Sequence, residues 1–119
     1  MEEDKKNNGS FEDLSLKENL LRGIFSYGFE VPSAIQSKSI PVLKSGKDII
    51  AQAQSGTGKT GAFVIGSLER IDVEIKATQV IIISPTRELS KQTTEVVSEL
   101  SKYMELFGSG WWDGCFSMS

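Results

Sequence analysis

The sequence predicts an α/β domain built around a parallel sheet, and three observations lead there. Val80-Ile81-Ile82-Ile83 is a β-branched run long enough for a strand and too short for a helix. A second apolar stretch, Asp48 to Ala53, runs into a glycine-rich turn and reads as a buried strand. Around these two lie segments of helical spacing, so the order is helix, strand, helix, strand, helix.

In chain order, residues 1–10 are polar and charged and read as a flexible tail. Ser15-Leu16-Lys17-Glu18 fits a capping box, the Ser15 hydroxyl taking the Glu18 amide while the Glu18 carboxylate reaches back. Leu16, Leu20, Leu21, Ile24 and Phe25 follow at helical spacing, and Gly28 is placed to end that helix in a left-handed conformation. Pro32 opens a second short helix through Gln36, and Pro41 restarts a third turn ending near Ser45-Gly46. A helix over 58–70 begins inside the glycine-rich turn. After Pro85, apolar residues from Leu89 to Met104 recur at three- and four-residue steps. They form an amphipathic helix with Lys91, Glu95, Glu99 and Lys102 towards solvent. From about Glu105 neither period persists, and 105–119 read as an irregular tail outside the domain that occupies 11–104.

A chain of 119 residues, 39% hydrophobic and 24% charged, is one globular domain at most. Its net charge of −3 argues against a broad basic face, though a few groups on one side suffice to grip phosphate. There is no histidine and Cys115 is the only cysteine, which excludes a disulfide framework and a Cys/His zinc site. The first ten residues lack the apolar centre of a secretory signal, and no apolar run is long enough to span a bilayer. The expectation is a soluble intracellular protein, cytoplasmic or nuclear, with no membrane partner.

Ala53-Gln54-Ser55-Gly56-Thr57-Gly58-Lys59-Thr60 lies between a predicted strand and a predicted helix, the context a phosphate loop requires. Gly56 and Gly58 let the backbone curl until successive amides point inward as a nest for phosphate oxygens. The helix beginning there adds its unpaired amides and the positive end of its dipole. Lys59 would bring charge to the β- and γ-phosphates, and the Thr60 hydroxyl would ligate Mg²⁺. The competing reading is a glycine-rich turn that binds nothing; the Gly-Lys-Thr ending and the flanking elements weigh against it.

Upstream, Gly28-Phe29-Glu30-Val31-Pro32-Ser33-Ala34-Ile35-Gln36 follows an isolated Phe11. Taken alone, these residues read as a core aromatic and a surface glutamine. Together with the loop, the stretch resembles the Q motif of DEAD-box ATP-dependent RNA helicases. Pro85-Thr86-Arg87-Glu88-Leu89 is similar to motif Ia of that family, and alone reads as a helix start with solvated charges. Ala53 in place of the generic first glycine is the helicase form of the loop. The resemblance covers about Ser10 to Met104, and Leu20-Leu21-Arg22-Gly23-Ile24 is similar to the eukaryotic initiation factor four A-like subgroup.

The resemblance implies a RecA-like lobe, a three-layer α/β/α arrangement with a parallel sheet, here truncated. It implies ATP and Mg as cofactors, RNA as partner through backbone contacts, and protein partners within helicase complexes. Gln36 would pair with the adenine edge, using one acceptor and two donors, while Phe29 and Phe11 lie near the base. Thr86 and Arg87 at a helix start, with Pro85 and Glu88, would meet the RNA sugar-phosphate backbone. The family's Asp-Glu-Ala-Asp and Ser-Ala-Thr motifs and its second lobe do not occur in the 119 residues, so no catalytic residue is assigned. Loss of an arginine finger alone removes about 10³ to 10⁵ in turnover; the expectation is neither hydrolysis nor unwinding, and an unstable product when expressed alone. Two other readings stay open: a non-enzymatic short isoform or truncated product that competes for helicase partners, and a P-loop ATPase acting on DNA. The Trp111-Trp112 tail reads as an out-of-frame or intron-derived extension, or as an aromatic anchor.

Overall fold

The computed structural model describes residues 9–52, 58–75 and 77–104. Its regular structure is helical: a 3-10 turn at Glu12–Leu14, then α1 (Glu18–Tyr27), α2 (Ala34–Lys44), α3 (Lys59–Arg70) and α4 (Arg87–Leu100). The central element is α3, which buries Ala62, Val64, Ile65 and Leu68 and packs most extensively against α2.

Neither expected strand forms among the described residues. In 48–52 and 79–84 no ladder is present, and Ile50, Ile81 and Ile83 lie exposed, Ile81 at 78% and Ile83 at 89%. A strand exists only through a neighbour that takes its backbone donors and acceptors. These two runs do not pair with each other, so the β-branched composition has nothing to act on. The parallel sheet is therefore not formed within the described residues, and Ala53 lies outside them.

Helix α1 starts otherwise than its sequence pattern predicts. Ser15 closes the 3-10 turn in a left-handed conformation, with φ 57° and ψ 48°, and so is not the N-cap. The N-cap is Lys17, which receives no side-chain cap from its own helix. Its amide instead donates to both carboxylate oxygens of Glu69, at 3.0 and 3.2 Å, from the end of α3. The other end matches expectation. Gly28 has φ 110°, its amide reaches the Phe25 carbonyl, and the Phe29 amide reaches that of Ile24. Those two bonds make a Schellman cap.

Helix α2 is one helix where two pieces were expected. Pro41 stands inside it on the exposed side, where water can replace the backbone bond that proline cannot donate. Ser39 and Ile40, buried on the other side, hold the helix through the interruption. Thr86 caps α4, its hydroxyl oxygen accepting the Leu89 amide at 3.2 Å. Lys91, Glu95, Glu99 and Lys102 face solvent as the periodicity predicts, but only the far end, at Leu100 and Met104, is buried. There α4 crosses α1 at Gly23, where a β-carbon would fall 2.0 Å from the Leu100 carbonyl oxygen. Across the same junction Arg22 sits 4.5 Å over the Tyr103 ring. Among the described residues no helix is long and apolar enough to cross a membrane.

Candidate nucleotide-binding site

The packing of α2 on α3 brings Gln36 onto the start of α3. Ser33 caps α2 and forms a reciprocal box with Gln36. The Ser33 hydroxyl accepts the Gln36 amide at 3.4 Å, and the Ser33 amide donates to Gln36 Oε1 at 2.9 Å. The other end of the carboxamide, Nε2, donates to the Gly58 carbonyl at 3.2 Å. A donor on one side and a carbonyl on the other fix which atom is oxygen and which nitrogen. Gln36 is 3% exposed, which replaces the surface glutamine that the residue type alone suggests.

This contact depends on glycines. Gly58, the N-cap of α3, has φ 92°, and a β-carbon there would lie 2.5 Å from Gln36 Nε2. At Gly61 a β-carbon would meet Gln36 Nε2 at 2.9 Å and the Phe29 ring at 3.2 Å. Small residues at the head of α3 thus let Gln36 and Phe29 approach that helix to van der Waals contact. Lys59 is half-buried and Thr60 exposed in the first turn, where amides without intrahelical partners and the helix dipole favour an anion.

The aromatics form a stack rather than a scattered set. Phe11 is fully buried, with its ring 6.2 Å from Phe29 at 26° and 6.3 Å from Phe25 at 83°. Tyr27 lies 5.0 Å from Phe29 on a tilted plane. Phe29 is half-buried, so Phe11 backs it from inside the fold.

Pro85, Thr86, Arg87 and Glu88 are all exposed at the head of α4. Ala53, Gln54, Ser55, Gly56 and Thr57 lie outside the described residues. Among those described, no group of three or more acidic or Cys/His side chains could hold a metal. Thr60 offers one hard hydroxyl oxygen, which suits Mg²⁺, an ion that keeps waters and takes phosphate oxygens alongside few protein ligands.

Sequence reasoning overlooked Ser33 and Gly61. The signal for Ser33 was present, since Ser33-Ala34-Ile35-Gln36 is itself a Ser-x-x-Gln capping box. Gly61 carries no local signal, because its need arises only from what packs against it.

The sequence model for DEAD/DEAH box helicases matches residues 33–111. The ATP-dependent RNA helicase FAL1 of Saccharomyces cerevisiae is 56% identical over 101 residues, covering 85% of this chain and 25% of FAL1. The ATP-dependent RNA helicase eIF4A of Meyerozyma guilliermondii is 53% identical over 97 residues, covering 82% of this chain and 24% of its own length. Among solved structures, S. cerevisiae Dbp5 bound to RNA and ADP BeF3 matches with a TM-score of 0.78 and 44% identity. That match covers 81% of this chain and 25% of Dbp5. The chain spans about a quarter of the length of the relatives it matches.

Proposed function

The chain belongs to the DEAD/DEAH box helicase family, and from that premise we propose that it is an ATP-binding and RNA-contacting segment of an RNA helicase. The observation that carries the reading is the Gln36 carboxamide seated on the Gly58 carbonyl, which joins an adenine reader to a phosphate loop. A carboxamide has two N–H donors and two lone pairs, enough for Gln36 to meet the adenine edge beside its bonds to Ser33 and Gly58, and Phe29 supplies the surface against the base. Phe11 acts through Phe29. Residues Ala53 to Thr60 surround the phosphates, with Lys59 as the charge and Thr60 as the metal-facing hydroxyl. Mg²⁺ bound there supplies charge neutralisation for the triphosphate. The helices fit a RecA-like lobe whose sheet is completed by further strands.

RNA is the proposed partner at Pro85 to Glu88, where exposed amides and the Arg87 guanidinium suit a backbone phosphate. The Dbp5 match supports both ligands, since that relative was solved with RNA and ADP BeF3. Helicase-complex proteins are the further partners proposed, and an intracellular location goes with them. The 119 residues carry no Asp-Glu-Ala-Asp motif, and the role proposed for them is binding.

Isothermal titration of the full chain with ATP and GTP tests the reading. ATP is expected to bind more tightly. Gln36→Ala should remove about 1–3 kcal/mol of that preference, and Lys59→Ala should weaken both nucleotides. Equal ATP and GTP affinities in the wild-type chain would overturn the adenine assignment.

A further inference from the structure

The segment just before α1 is held by side chains from two other helices. Lys44, at the end of α2, donates from one ammonium to two successive carbonyls, Leu14 at 3.1 Å and Ser15 at 2.5 Å. The left-handed turn at Ser15, the one positive-φ position among the described non-glycine residues, brings those carbonyls onto a single cation. Two residues on, Glu69 at the end of α3 receives the Lys17 amide on both oxygens. The Lys17 ammonium in turn donates to the Ile71 carbonyl. One short strap is therefore tied to the tails of both α2 and α3. The strap begins at the buried Phe11, three residues before the first tie, and Phe11 stacks directly behind Phe29.

The heads of these same two helices carry Gln36 and the Gly58 to Thr60 turn. We propose that Phe11–Lys17 is a strap that sets the adenine side of the site, with Lys44 and Glu69 as its positioning residues. The proposal rests on the nucleotide reading above. Lys44 and Glu69 lie at the tails of the helices whose heads would meet the nucleotide, so they act at one remove. Loosening the strap withdraws the support behind Phe29 while leaving the glycine-rich turn and Lys59 intact. The base contact should suffer and the phosphate contact should not, which a purely structural role would not produce.

The test is ATP and GTP titration of the full chain as wild type, Lys44→Met, Glu69→Gln and Leu100→Ala. Lys44→Met is expected to weaken ATP by about fivefold, at the low end for linked sites, with GTP unchanged. Glu69→Gln keeps an acceptor for the Lys17 amide and should give a smaller shift in the same direction, which serves if Lys44→Met fails to fold. Leu100→Ala destabilises a buried site away from the strap and should leave the ATP-to-GTP ratio at the wild-type value. If the wild type discriminates and both strap variants keep its ratio, or lose both nucleotides equally, the strap proposal is overturned. If the wild type does not discriminate, the adenine reading fails, and this proposal with it.

Discussion

Replacing Gly23 with alanine sets two effects of opposite sign against each other. Glycine inside a helix is about 1 kcal/mol worse than alanine, so propensity alone predicts that Gly23→Ala stabilises α1. The added β-carbon, however, would sit 2.0 Å from the Leu100 carbonyl oxygen and 2.8 Å from its carbon. Both are backbone atoms of α4 and cannot rotate aside. Relief needs the two helices to part by about 1 Å, a gap that forfeits a quarter to a half of the dispersion contact across it. Leu20, Ile24 and Leu100 are fully buried about this crossing, and each is worth roughly 1.5–3 kcal/mol when buried. The loss is then about 1–4 kcal/mol, and set against the propensity gain it leaves the variant less stable by up to about 3 kcal/mol. Urea unfolding followed by circular dichroism reads this as a lower midpoint at unchanged slope. A midpoint above wild type, the propensity gain unopposed, would refute the close approach of α1 and α4.

Two further outcomes follow from local contacts. Ser33→Ala removes the hydroxyl that caps α2 and should cost about 1 kcal/mol of stability. The Ser33 amide still donates to Gln36, so ATP preference over GTP in titration should survive. The Tyr103 phenol is held below its ordinary value by the Ser26 hydrogen bond and then by Lys102 and Arg22. In a Tyr27→Phe background, absorbance at 295 nm should show phenolate at lower pH than free tyrosine, and Ser26→Ala should move that titration back up. Because the folded-state value is the depressed one, ionisation favours the fold only on the alkaline side. That contribution vanishes as pH falls through the folded value.

Features carried by a residue and its near neighbours were legible in the sequence. Gly28 ends α1 and α3 begins at Gly58-Lys59 because those requirements are local. The exposed charged face of α4 was legible for the same reason. The two capping boxes show where local reading stops. Ser15–Glu18 and Ser33–Gln36 match one pattern, and the first fails because Ser15 closes the preceding 3-10 turn in a left-handed conformation, its amide donating to the Glu12 carbonyl. Pro41 was read as a break because its exposure could not be seen from sequence, and exposure makes it tolerable. The strands required partners that neither Ile50 nor Val80–Ile83 has among the described residues. In the site, the residue types Gln36 and Lys59 were readable, but the bond linking Gln36 to Gly58 was not, since it arises only when α2 meets α3.

That bond also limits what position 36 can become. A carboxylate there would still accept from the Ser33 amide. It would also turn a bare oxygen towards the Gly58 carbonyl, and two acceptors face to face would prise the two helices apart. If Gln36 reads the base as proposed, a change of letter at this position comes at the expense of the fold.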